Sequence, residues 1–209
     1  MDNAAPTDAA PTDAALTEAL FRVIAAQGWR GVTPGRLAAE AGLPAAELVR
    51  RFPSRLGLLR LWADVVMEQV EQGTVPGQGG TPRDRLFDAL MRGLDALAPY
   101  RPGLTRLMRE MYTDPVLYGA VAPLFQRSMQ RMLDAAEVES GGLKGRLRAA
   151  GLTLVWIRVV NAWSKDESEE LGPTMATLDR TLERAEQAAR SFGMADGDLA
   201  APPAVDTPA

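Results

Sequence analysis

The sequence predicts an all-α protein: a small N-terminal tri-helical head with a helix-turn-helix, then a larger helical body, about nine helices in all. Three observations carry this. Apolar residues recur at helical spacing along most of the chain, and no convincing strand alternation appears. Helix-opening caps followed by proline stand at Thr33-Pro34, Thr81-Pro82 and Asp114-Pro115. Short helices separated by Gly and Pro crowd into residues 14–72, whereas longer periodic segments follow.

Each element has its own signal. Residues 1–13 contain Ala-Pro-Thr-Asp-Ala at 5–9 and again from 10, with nothing large to bury, and read as a disordered tail. Leu16, Leu20, Val23, Ile24 and Gln27 trace one face of a first helix, capped by Asp13 and stopped by Gly28. Thr33-Pro34 opens a short helix to about Ala41, Gly42-Leu43-Pro44 is a tight turn, and Ala45 to Phe52 is a second short helix ended by Pro53. Ser54 caps a longer helix with Leu58, Leu61, Trp62, Val65 and Val66 inward, which completes a domain over 14–72. The Gly- and Pro-rich stretch 73–82 cannot hold a helix and reads as a linker.

The body spans 83–194. A helix from Thr81-Pro82 turns Leu86, Leu90 and Leu94 inward, one near Pro102 carries Leu104, Leu107, Met108 and Met111, and one from Asp114-Pro115 runs through Leu124, Met129 and Met132. After Gly141-Gly142, residues 147–163 are apolar nearly all round, with Arg158 and Asn161 as exceptions, so that helix must be covered on most sides. A last helix over 173–192 shows Met175, Leu178, Leu182, Ala185 and Ala189 on one stripe, and 195–209 read as a second disordered tail.

Composition narrows the function classes. Hydrophobic residues make up 46% of the 209 and charged residues 24%, proportions of an ordinary globular protein. With no cysteine, disulfides, thiolate metal sites and cysteine nucleophiles are excluded; with no histidine, so are Ser-His-Asp triads and His-based zinc sites. An enzyme is therefore disfavoured, and neither a Walker loop nor a dinucleotide fingerprint is present. Charge is unevenly spread. Residues 28–60 hold Arg30, Arg36, Arg50, Arg51, Arg55 and Arg60 against Glu40 and Glu47, a local net of +4 in a chain of −4, which leaves −8 elsewhere. A cationic head on an acidic body is suited to orientation on a phosphate backbone. No apolar run spans a bilayer and no secretory signal opens the chain, so a cytoplasmic protein without membrane insertion is expected.

The strongest local pattern runs from Gly28-Trp29-Arg30-Gly31-Val32-Thr33-Pro34 through Leu37-Ala38, Ala41-Gly42-Leu43 and Leu48 to Phe52-Pro53-Ser54-Arg55. Two short helices around a Gly turn, held by longer flanking helices, leave the second short helix exposed. This segment resembles the DNA-binding domain of the TetR family of bacterial regulators. The resemblance rests on Thr33, Leu37, Ala38, Ala41, Gly42, Leu43, Leu48, Phe52, Ser54 and Arg55, and is specific over 14–72. It implies that double-stranded operator DNA meets Thr33, Arg36, Ala45, Ala46, Glu47, Val49, Arg50, Arg51, Ser54 and Arg55. The chain departs from the family where Val49 stands in place of a donor tyrosine, and where Glu47 would repel phosphate yet could accept from a cytosine amino group.

For the body the resemblance implies ligand binding and homodimerisation, the last two helices forming a four-helix bundle with a second copy. A small apolar effector is expected among Met91, Met108, Met111, Tyr112 and Met129, since methionine adapts to varied ligands. Trp156, Val159, Trp163, Leu178, Leu182 and Ala185 are expected at the dimer interface. The acidic run Asp166, Glu167, Glu169, Glu170 lacks EF-hand spacing and reads as a solvated loop, so no metal site and no cofactor are expected. Residues Arg127 to Ala136, with Trp163-Ser164-Lys165-Asp166-Glu167-Ser168, Thr174 and Leu178-Asp179-Arg180, are similar to the C-terminal region of the TetR-like accessory proteins of ubiquinone biosynthesis. That similarity implies an alternative: a lipid- or quinone-binding protein with a degenerate helix-turn-helix.

Overall fold

The computed structural model describes residues 11–75, 77 and 80–191. Among them are nine α-helices and no strand, as the periodicity predicts: α1 Asp13–Gln27, α2 Pro34–Ala41, α3 Ala45–Arg51, α4 Arg55–Gln72, α5 Pro82–Leu97, α6 Arg101–Met111, α7 Pro115–Ala135, α8 Gly142–Trp163 and α9 Gly172–Ser191. Short 3-10 turns stand at Trp29–Gly31 and Ala98–Tyr100. The expected tails at 1–10 and 195–209, linker positions 76, 78 and 79, and the expected helix end at Phe192 lie outside the described residues.

Most helix starts are built by the caps the sequence carries. Thr33 Oγ1 accepts from the Arg36 N–H at 3.4 Å, Ser54 Oγ from the Gly57 N–H at 3.2 Å, and Asp114 Oδ1 from the Val116 and Leu117 N–H groups at 3.1 and 3.0 Å. At α5, Thr81 and Asp84 form a reciprocal box: Asp84 Oδ2 accepts from Thr81 N and Oγ1, while Thr81 Oγ1 accepts from the Asp84 N–H. The first helix differs from expectation. Its cap is Thr12, which accepts from the Ala15 N–H at 3.2 Å, so Asp13 lies inside the first turn with its charge at the positive end of the helix dipole. α8 also starts earlier than expected, at Gly142.

The described residues form two compact units, one running up to Glu68 together with Leu97–Leu124, the other made of Gln69–Ala96 and the residues from Phe125 on. This grouping differs from the expected head and body, because 97–124 go with the helix-turn-helix. In the first unit α1 packs on α2 and α6, and α2 on α3. The core includes Leu16, Leu20, Ile24, Leu37 and Leu59, each no more than 1% exposed. Phe21, Trp62 and Tyr100 stack at centroid distances of 4.6 to 6.0 Å, and the Tyr100 hydroxyl reaches Thr17 Oγ1 at 3.2 Å. Gly103 is what lets α6 lie this close to α1, since a Cβ there would collide with the Phe21 carbonyl oxygen. On α4, Leu58, Trp62 and Val66 are buried as expected, whereas Leu61 and Val65 are half-buried and Leu59, Met67 and Val70 are enclosed.

In the second unit α8 packs along α9. A Cβ at Gly93 would stand 2.9 Å from Trp156 Cη2, so α5 offers the indole a bare backbone to sit against. Arg131 grips Glu71 through two hydrogen bonds of 2.8 and 2.9 Å, and Arg83 reaches Asp179 at 2.7 Å.

Candidate nucleic-acid interface

The presentation of α3 follows from three residues. Leu37 and Ala38 turn α2 inward at 0% and 3% exposure. Gly42 then adopts φ 68°, ψ 31°, a left-handed conformation that L side chains resist, and both its N–H and that of Leu43 reach the Ala38 carbonyl. The chain reverses within this turn, and α3 docks through Leu48, 2% exposed. At about 100° per residue, Ala46 and Arg50 fall opposite Leu48, with Val49 on one flank and Glu47 on the other. Burial agrees: Ala45, Ala46 and Arg50 are exposed, Val49 is 46% exposed, and Glu47 is half-buried. The ten residues expected to meet DNA thus stand on one short stretch, with Thr33, Arg36, Arg51, Ser54 and Arg55 also exposed beside α3.

The arginines differ in how they are held. Arg36 Nη1 donates to the Gly31 carbonyl at 3.3 Å. Arg55 lies over the Trp29 indole, 5.1 Å from its centroid, and donates to the Trp29 carbonyl at 3.0 Å. Arg51 pairs with Asp13 at 3.0 Å and lies against the Phe52 ring. Arg50 has no hydrogen bond or ion pair among the described residues and projects from the middle of the outward face. Asp13 and Trp29 are partners of these arginines that sequence reasoning missed. Asp13–Arg51 is separated by 38 residues, and Trp29 acts on Arg55 through its ring and backbone together, so no local spacing pointed to either.

The base of the head is pinned by α6. Arg106 Nη1 donates to the Ala25 carbonyl at 2.9 Å, in the last turn of α1, and Glu110 Oε2 accepts the Trp29 N–H at 2.8 Å. The first bond satisfies a carbonyl that the end of α1 leaves open, and the second holds the Trp29 platform under Arg55.

Two other expected sites are redrawn. Met91 and Met129 belong to the second unit, half-buried and 2% exposed, whereas Met108, Met111 and Tyr112 belong to the first, with Tyr112 72% exposed. The five are therefore not gathered within one unit. Of the expected dimer residues, Trp156, Val159, Trp163, Leu178 and Leu182 are 0–6% exposed inside the single chain, and Ala185 is half-buried. Side chains already enclosed have no area to offer a second copy. The large apolar side chains that α8 leaves open are Leu143, Leu147 and Leu154, exposed at 74%, 50% and 58%.

Within the acidic run Glu167, Glu169 and Glu170 are exposed as expected, and Asp166 is the exception. Asp166 is 5% exposed and structural: its carboxylate accepts from the N–H and hydroxyl of Ser168 at 3.1 and 2.6 Å, and from those of Thr174 at 3.0 and 2.6 Å. These bonds, the two hydroxyls first, hold its carboxyl down to about 2. Asp166, Ser168 and Thr174 thereby join α8 to α9. The adjacent groove of about 690 Å³ is open and carries charges of both signs, with Arg158 and Lys165 beside Asp166 and Glu167, unlike the apolar pocket expected among the methionines. Among the described residues no helix is long and apolar enough to cross a membrane, and no group of acidic side chains is arranged to hold a metal ion.

No protein-family model and no curated protein matches the sequence. Solved structures do. A TetR transcriptional regulator from Nitrosomonas europaea is 22% identical, with 84% of this chain and 98% of that one covered at a TM-score of 0.65. A TetR transcriptional regulator from Rhodococcus sp. RHA1 is 20% identical over 82% and 93%, TM-score 0.55, and a TetR-family regulator from Streptomyces coelicolor is 14% identical over 90% and 87%, TM-score 0.54. The chain has the fold of the TetR-type transcriptional regulators.

Proposed function

We propose that the protein is a DNA-binding transcriptional regulator, a homodimeric repressor responsive to a small apolar effector, and not an enzyme. The observation that carries this reading is the outward face of α3: Arg50 unpartnered among the described residues, between Ala46 and Val49, on the part of the chain where positive charge collects. The solved neighbours are transcriptional regulators, which supports the same reading. Each head would place α3 in a major groove, with Thr33, Arg36, Arg51, Ser54 and Arg55 on the flanking phosphates.

Dimerisation would use α8. Leu143, Leu147 and Leu154 follow one another at four and seven residues, the spacing of a helix–helix seam, and a two-fold axis pairs such a stripe with itself. An effector in the body would act by binding one spacing of the two heads more tightly than another, which changes DNA affinity by that difference.

Enrichment of random duplexes on the purified protein tests the reading. Recovery of a two-fold symmetric sequence, bound with an affinity that falls steeply as salt rises, is the expected result. Equal binding of all duplexes at moderate salt would overturn it.

A further inference from the structure

We infer that the arginines of the helix-turn-helix divide into one base reader and three fixed backbone clamps, and that the half-site it reads is a G·C pair beside thymine methyl groups. This rests on the DNA-binding reading above and specifies what that site recognises. Arg36 and Arg55 already donate to backbone carbonyls, Arg55 is stacked on Trp29, and Arg51 is paired with Asp13. Each retains further N–H groups for a phosphate oxygen, because a guanidinium carries five, but none can extend to a base edge without giving up its present contact. Arg50 is under no such restraint among the described residues, and it stands opposite the docking residue Leu48, where a helix in the major groove faces the bases. Its fork matches the O6 and N7 acceptors of guanine.

Around Arg50 the surface is made of methyl groups. Ala45 and Ala46 are exposed and Val49 is 46% exposed, so the positions flanking the reader have no donor for adenine and no acceptor except Glu47 on the far flank. The group in the major groove that matches an alanine or valine methyl is the C5-methyl of thymine. The short alanines also let the helix approach closely enough for those contacts to form.

Single-atom changes in the DNA test this on the full chain. A sequence enriched from random duplexes is rebuilt with 7-deazaguanine for each guanine, or uracil for each thymine, one at a time. Binding is then titrated for wild type, Arg50→Ala, Val49→Ser and Arg55→Ala, each checked for an unchanged thermal midpoint. One guanine should lose roughly tenfold or more in affinity on losing N7 with wild type, and nothing with Arg50→Ala. A neighbouring thymine should lose about fourfold without its methyl with wild type, and less with Val49→Ser. Arg55→Ala should weaken binding to every duplex by one common factor. An enriched sequence indifferent to both base changes would overturn the inference and leave the regulator reading standing, whereas no enriched sequence would remove both.

Discussion

α3 and α8 each turn an open face outward, and the two faces are built for different partners. α3 is seven residues long and is held by a single buried side chain, Leu48, so nearly everything else on it is presented. α8 is 22 residues long and buries eight of them, which makes it a wall of its own unit first and a presenting surface second. The open face of α3 sets one unpaired guanidinium among methyl groups, and that of α8 carries a row of leucines. Base edges offer acceptors and methyls side by side, so the first suits DNA. A second leucine row offers only aliphatic area, so the second suits another helix.

The comparison breaks most visibly at Trp156 and Leu154, two residues apart on α8. Trp156→Ala should lower stability by about 3–5 kcal/mol in chemical denaturation, because it opens a cavity against Gly93. Leu154→Glu should leave the denaturation of the monomer within about 0.5 kcal/mol while converting dimer to monomer in sedimentation analysis. A dimer that survives Leu154→Glu would remove the seam.

Leu48→Ala comes next. It should cost about 2–3 kcal/mol, the lower part of the range for a buried leucine because a short helix relaxes readily, and it should abolish duplex binding before the body unfolds. Binding unchanged in that variant would mean that α3 is not what meets DNA.

Asp166 gives a smaller effect with a pH signature. Its folded-state value of about 2 lies below the 3.8 ordinary for an aspartate, so the carboxylate stabilises the fold at pH above 3.8, and that contribution is lost as pH falls through 2. The difference in denaturation midpoint between wild type and Asp166→Asn should therefore be constant near neutrality and shrink between those two values. A difference independent of pH would contradict the structural role of the Asp166 carboxylate. Smallest is Gly42→Ala, where the space is open and only the left-handed backbone is penalised, by about 1 kcal/mol in thermal unfolding.

How much of this was legible in the sequence depended on range. Thr33-Pro34, Thr81-Pro82 and Asp114-Pro115 act within three residues, and each opens the helix it announces. Thr12 and Asp13 are both good caps by residue type, and only the backbone decides between them. Periodicity showed that Trp156, Val159 and Trp163 must be covered, but an apolar face carries no record of whether its cover is the same chain or another. All three are buried within the single chain, where α9 packs along α8. Nothing in the acidic run marks Asp166 as buried, because its donors lie two and eight residues onward. The outward stance of α3 was readable. The restraint on Arg36, Arg51 and Arg55 was not, because it depends on carbonyls and a distant carboxylate.

Hydroxyl-radical footprinting of the protein with and without an enriched duplex tests the central claim most directly, since Val49 and Leu154 are both aliphatic and exposed, at 46% and 58%. Saturating duplex should suppress labelling of Val49 and leave Leu154 as it was in the free protein. Val49 labelled equally in both samples would contradict the assignment of α3 as the surface that meets DNA.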